Sequence, residues 1–344
     1  MTAEDIDQKR QWFEEKKPIY EALTIKAESL IMEILNLNKI SYHSVESRCK
    51  EIDSFKNKIE KGIDYDYKEM QDLAGIRIIG YVNSDIELIS KLIRDNFDVD
   101  LSRSIDKSAV LGIDKVGYKS VHFVVKFKKE RCTLPEYKLF NNIFFEIQVR
   151  TILQHAWAEI EHDRNYKFSG ILPKEINRRF KLLAGVLEVA DNEFNQISRE
   201  IDKYSEEVSR KTKKGDLNIP INSTSLMQYF KDVFKEAEII NFNFGPPEND
   251  YSRIAIDELN ILSINTLADL DKILTKKIRD DIMTIDEIQN LLGLTRLILI
   301  KNFQEKYFDH AWKKRWLFVS DPDTFHRLGI NIESLAKKFG LKMK

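Results

Sequence analysis

The stretch NNIFFEIQVRT at 141–151 alternates apolar and polar side chains at every second position. Successive side chains of a strand face opposite sides, so Ile143, Phe145, Ile147 and Val149 share one face and Phe144, Glu146, Gln148 and Arg150 the other. The first face suits a core. The second is either solvent-facing polarity or the floor of a polar site. The same alternation in AGIRIIGYV (74–82) sets Ala74, Ile76 and Ile78 against Gly75, Arg77, Ile79 and Tyr81. In GYKSVHFVV (117–125) it sets Val121, Phe123 and Val125 against Tyr118, Ser120, His122 and Val124. Between the first two strands in sequence, SDIELISKLIRDNF reads as a helix.

Helical spacing takes over on both flanks. Ile19, Leu23, Ala27, Leu30 and Ile34 recur at three- and four-residue steps, so residues 4 to about 61 read as packing helices. Lys174 to about Lys213 reads as a further amphipathic helix, packing through Phe180, Leu183, Val186, Leu187, Val189, Ala190, Phe194 and Ile197. It runs into KKGDLNIPINST, where a charge run meets Gly215, Pro220 and small polar residues, the best domain boundary in the chain. Residues 225–344 are mainly helical by pattern, interrupted by NFGPPENDYS at 243–252. The expected fold is α/β (α+β): a mixed sheet flanked by helices in residues 1–214, then a mainly α-helical domain over 215–344.

Composition sharpens this only in places. A chain of 344 residues exceeds the roughly 250–300 at which one core stops growing, which supports two domains. Fifty-five Lys+Arg against 56 Asp+Glu leave no global basic field, so indiscriminate nucleic-acid binding, and DNA binding in particular, is not expected. Cys49 and Cys132 form neither a zinc-ligand spacing nor a disulfide framework, which fits a reducing compartment. The N-terminus is charged from its fourth residue and no apolar run approaches the roughly 18 residues of a membrane span, so a cytoplasmic protein is expected. Trp312, Trp316, Phe308 and Phe318 are either core or a patch for a partner.

Candidate chemistry gathers around the strands. Arg77, then Ser120 and His122, then Glu146, Gln148 and Arg150 mark one side of the three strands with a mixture unlike ordinary solvated polarity. In VESRCKEIDSFKNKIEK (45–61), read as a helix, Val45, Ile52 and Ile59 form an apolar stripe. Lys50, Ser54 and Lys58 lie opposite, and Arg48 and Lys56 flank the apolar stripe: a solvated face or a grip for polyphosphate. Asp72 precedes the first strand and Glu146 lies in the last; two carboxylates beside a phosphate site are what a divalent metal needs. Neither GxxxxGK[ST] nor GxGxxG occurs, so a P-loop or Rossmann nucleotide site is excluded.

RCKEIDSFKNK (48–58), DLAGIRI (72–78), GYKSVH (117–122), EIQVRT (146–151) and HAWAEIEHDRNYK (155–167) together resemble the synthetase domain of the RelA/SpoT family. The resemblance covers roughly residues 20–200 and implies a nucleotidyltransferase-like fold. It implies an ATP:nucleotide 3′-pyrophosphokinase, in which Mg²⁺ lets the 3′-hydroxyl of GDP or GTP attack the β-phosphorus of ATP, giving the alarmone (p)ppGpp and AMP. By the same resemblance Asp72 and Glu146 hold the metal and are catalytic, Glu146 also helping to deprotonate the hydroxyl. Arg48, Lys50, Ser54, Lys56, Lys58 and Arg77 bind ATP. Tyr118 stacks on the acceptor base, assisted by Lys115, His122, Gln148 and Arg150. The acceptor loop reads DKVGYKS where many members carry asparagine before the glycine. No HD hydrolase motif precedes these segments, so a single-activity small synthetase is expected. Two other readings stand beside it: a toxin-type relative that pyrophosphorylates the 3′ end of tRNA, with the C-terminal domain as a fused neutralising or sensing module, and a catalytically inactive regulatory or RNA-binding module. Residues 215–344 lie outside the resemblance and are expected to regulate the enzyme, bind a protein partner or mediate homo-oligomers.

Overall fold

The structure, a computed structural model, describes residues 3–62, 66–106, 120–167, 173–234, 251–285, 290–312 and 322–341. The chain forms two compact units, Met1–Ser198 and Arg199–Lys344. The expected arrangement, a mixed sheet flanked by helices and followed by a mainly helical region, is the one it adopts.

The first unit opens with helix α1 (Ala3–Leu37), continuous through Pro18, which buries Leu23, Ala27 and Leu30 as their spacing requires. The helical reading of 45–61 is corrected. Residues Ser44–Cys49 form strand β1, and only Ile52–Glu60 form helix α2. The seven-residue spacing of Val45, Ile52 and Ile59 mimics a helical stripe, but β1 pairs antiparallel with β2 (Ala74–Gly80), satisfying backbone groups a helix there would leave on a bare sheet edge. Phe55 of α2 stacks on Phe13 of α1 at 4.6 Å, so both helices join one core.

Helix α3 (Asn83–Asn96) follows β2, then short strands β3 (Phe97–Val99) and β4 (Ile105–Asp106). Strands β5 (Val121–Phe127) and β6 (Phe145–Thr151) complete a sheet of order β1-β2-β6-β5-β3, with β4 on β5. β2 and β6 run parallel and the other pairs antiparallel. Phe145, Ile147 and Val149 are fully buried, as are Ile76, Ile78, Phe123 and Val125, so the apolar faces read from alternation are the core faces.

Helix α4 (Ile152–Lys167) continues directly from β6, and α5 (Lys174–Lys213) follows. The expected packing face of α5 is only partly right. Leu183, Val186, Val189, Phe194 and Ile197 are exposed, whereas Ala184 and Asp191 are buried. Polar bonds select the face: Thr151 donates to Asp191 at 2.8 Å, and Asn195 accepts from the Ser84 backbone N–H at 2.9 Å, serving the first turn of α3.

The division between units falls inside α5, before the Gly215 segment, because Val208 near its end belongs to the second core. That core is built by α6 (Ser223–Val233), α7 (Tyr251–Ile261), α8 (Leu267–Ile273), α9 (Lys276–Met283), α10 (Leu291–Lys306), α11 (Pro322–Arg327) and α12 (Ile332–Phe339). Side-chain caps from Asn222, Thr266, Thr275, Asn290 and Asn331 start five of these helices. Phe308 is buried against Trp312 and Phe339, so it is core; Trp316 and Phe318 lie outside the described residues. No described helix is long and apolar enough to cross a membrane.

Candidate active site

The sheet's polar face brings the chemistry-bearing positions into register. Across β1, β2 and β6, Arg48 pairs with Gly75 and Gly75 with Glu146, while Glu46 pairs with Arg77 and Arg77 with Gln148. On the far side of β6, His122 of β5 stands opposite Gln148. A Cβ at Gly75 would meet nothing closer than Arg48 Cγ at 3.9 Å, so the glycine relieves no clash and leaves open the space between Arg48 and Glu146. Glu46, Arg48, Asp72, Gly75, Arg77, Glu146 and Gln148 line one cavity there. A larger cavity, of about 500 Å³, is lined by residues of α3, α4 and α5 together with Asp106, Ser120, Val121 and Val149; it contains none of these paired groups, and Ser120, expected on the side of His122, lines it instead.

Asp72 sits in the short turn Gln71–Leu73 before β2. The backbone N–H of Lys50 donates to Leu73 at 2.9 Å, pinning the β1–α2 connection against this turn. Lys50 Nζ then reaches Asp72 Oδ2 at 2.8 Å, and Lys58 Nζ donates to both carboxylate oxygens at 3.0 Å. Burial acts to raise the Asp72 carboxyl, but the two ammonium groups outweigh it and hold it below the usual carboxylate range.

Glu146 is held in a different way. His122 Nδ1 lies 2.6 Å from Oε1 and Gln148 Nε2 donates to Oε2 at 2.9 Å. Burial again acts to raise this carboxyl; the bonds from His122 and Gln148 prevail and leave it low, while the charge of Asp72 pushes the other way. Two ionised carboxylates that sense each other on one cavity wall suit a hard divalent cation, which takes a few carboxylate oxygens and fills its shell with water and phosphate. Among the described residues no group of three or more His, Cys, Asp and Glu is placed to hold a metal, so a cation here would draw most of its shell from water and phosphate.

The structure thus gathers Arg48, Lys50, Lys58, Asp72, Arg77, His122, Glu146 and Gln148. Lys56 instead pairs along α2 with Glu60 at 3.8 Å, and Ser54 is exposed on the same helix. Arg150, with only 3% of its side chain exposed, meets Glu159 of α4 at 3.3 Å. Lys115 and Tyr118 lie outside the described residues. Sequence reasoning missed Glu159, whose Oε1 also lies 3.0 Å from Arg77, and His155 beside it at 3.8 Å. Their i, i+4 spacing in HAWAEIEHD was the available signal.

The family model described as "Region found in RelA / SpoT proteins" matches residues 47–171, which contain every residue of this cluster except Glu46. GTP pyrophosphokinase YjbM of Bacillus subtilis (strain 168) is 30% identical over 152 residues, 43% of this chain and 67% of that protein. GTP pyrophosphokinase YwaC of the same organism is 30% identical over 161 residues, 45% of this chain and 73% of that protein. The crystal structure of small alarmone synthetase 1 from Bacillus subtilis bound to its product pppGpp superposes with a TM-score of 0.47 at 27% identity, over 55% of this chain and 97% of that one. Motifs, matched region and curated relatives agree, and the chain belongs to the RelA/SpoT family.

Proposed function

We propose that this chain transfers pyrophosphate from ATP to the 3′-hydroxyl of GDP or GTP, forming (p)ppGpp and AMP, with Mg²⁺ held by Asp72 and Glu146. One observation carries the reading: two carboxylates, both kept ionised despite burial, share a wall of the site with Arg48 and Arg77, while Lys50 and Lys58 reach Asp72. Two relatives 30% identical to this chain, over 152 and 161 residues, are named GTP pyrophosphokinases, which supports the guanosine acceptor.

Mg²⁺, when bound, neutralises phosphate charge and aligns donor with acceptor. The rest falls to the chain. Arg48, Lys50, Lys58 and Arg77 grip the donor phosphates, with Ser54 and Lys56 on the adjoining helix at its outer edge. Glu146 accepts the hydroxyl proton as the 3′-oxygen bonds to the β-phosphorus. The bond from that phosphorus to the α–β bridging oxygen breaks, and AMP leaves with the oxygen. His122 and Gln148 hold Glu146 by both its oxygens, so its orientation is fixed before substrate arrives.

Acceptor identity is tested by incubating the protein with γ-labelled ATP, Mg²⁺ and either GDP/GTP or bulk tRNA. Label in the guanosine nucleotide supports the proposal; label confined to tRNA transfers the same chemistry to the toxin-type reading. In the first arm, Tyr118→Ala weakens acceptor binding by roughly 1–3 kcal/mol, the contribution of one base–aromatic stack, and leaves donor affinity unchanged. Loss of donor affinity with acceptor affinity intact would contradict the assignment of that loop.

Residues 215–344 contribute nothing to the family-matched region, and we assign them a regulatory or partner-binding role. A chain ending after Lys213 is expected to retain transfer with an altered rate. A folded truncation with no transfer at all would show that these residues complete the active site.

A further inference from the structure

Glu159 connects two arginines that the proposed reaction uses for different substrates. Arg77 lies on β2 and Arg150 on the neighbouring parallel strand β6, where the register sets Arg77 opposite Gln148 and Arg150 opposite Ile79. A single carboxylate oxygen, Glu159 Oε1, lies 3.0 Å from Arg77 Nη1 and 3.3 Å from Arg150 Nη2. Two guanidinium groups this close repel each other unless an anion lies between them. Arg150 is deeply buried and Arg77 keeps only 25% of its side-chain surface, so solvent screens the pair weakly. Glu46 supplies a weaker second anion, 3.6 Å from Arg77. Glu159 itself is 54% exposed on α4 and can swing into water at little cost.

We propose that Glu159 is a positioning residue that couples donor and acceptor binding, acting as the shared counter-ion of Arg77 and Arg150 until nucleotide phosphates displace it. This rests on the pyrophosphokinase reading above, which gives Arg77 to ATP and Arg150 to the acceptor. The donor's phosphates carry several negative charges to the carboxylate's one, so they take Arg77 and repel Glu159. Because the same oxygen serves both arginines, its departure also removes this contact from Arg150. The first nucleotide therefore bears the cost of moving Glu159, and the second no longer competes with that carboxylate. Binding of donor and acceptor is mutually favourable, by the same factor in each direction.

Calorimetry on the full-length protein tests this, using α,β-methylene ATP, which the enzyme cannot cleave, and GDP, each titrated alone and in the presence of the other. In the unsubstituted protein GDP binds about fivefold more tightly once the ATP analogue is bound, the lower end of common coupling factors. Glu159→Gln keeps the side chain's size and removes its charge. It tightens binding of each nucleotide alone and brings the coupling factor close to one. Unchanged coupling in Glu159→Gln, or weaker binding of the ATP analogue alone, overturns the inference while leaving the pyrophosphokinase reading intact. Failure of the unsubstituted protein to bind the ATP analogue at all overturns both.

Discussion

Glu146→Gln lowers turnover by about a thousandfold at saturating substrates, the loss expected when one central electrostatic contributor to a transition state is removed. Glutamine is isosteric with glutamate and its oxygen still accepts the hydrogen bond from His122 Nδ1, while its amide nitrogen faces Gln148, whose own amide turns its oxygen toward it, so the strand and its neighbours stay in place. The substitution removes the charge that, in the proposed reaction, takes the hydroxyl proton and would face Mg²⁺. Circular dichroism and the thermal midpoint should match those of the unsubstituted protein, which separates a chemical from a structural loss. A folded Glu146→Gln variant with turnover near the original would remove Glu146 from the reaction.

Glu258→Ala acts on the other unit and by other physics. Glu258 is 3% exposed, and Arg296 meets it with Nε at 3.1 and 3.0 Å and Nη2 at 2.6 Å from Oε1. The hydroxyl of the fully buried Tyr307 donates to its other oxygen at 2.9 Å. Truncation to alanine leaves a guanidinium with little access to water and a buried phenol that has lost its acceptor, at a cost of about 3–5 kcal/mol to the second unit. Urea unfolding followed by hydrogen exchange in α7 and α10 reads this directly. The double variant Glu258→Met with Arg296→Met should lose much less, because it removes both buried charges together. A loss below about 1 kcal/mol for Glu258→Ala would show that water reaches Arg296.

What the sequence revealed divides along a physical line. Period-two alternation located β2, β5 and β6 and assigned their core faces, because a strand's side chains have only two directions to choose from. Helical spacing found α3 and α5 but not the packing face of α5, which is set by Asp191 and Asn195 bonding Thr151 and Ser84 rather than by its apolar residues. Segment 45–61 misled because a strand, a connection and a short helix placed apolar residues at seven-residue intervals. Asp72 and Glu146 were legible as carboxylates near basic residues, and more so through the family motifs. Their partners were not: that Lys50 and Lys58 converge on Asp72 depends on how the β1–α2 connection folds over the Gln71–Leu73 turn. Glu159 was hidden for a similar reason, since a glutamate on an amphipathic helix looks solvated until the strands beneath it show two arginines.

The central claim is that pyrophosphate, not a single phosphoryl group, leaves ATP. It is tested most directly by running the reaction in parallel with α-labelled and γ-labelled ATP, Mg²⁺ and GDP, and separating the products. The account predicts that γ-label appears in a guanosine nucleotide at its 3′ position while α-label appears in AMP, in equal amounts. Gamma-label recovered as orthophosphate with α-label in ADP would contradict it and make the protein an ATP hydrolase, and γ-label in the guanosine nucleotide with α-label in ADP would contradict it and make the protein a simple kinase.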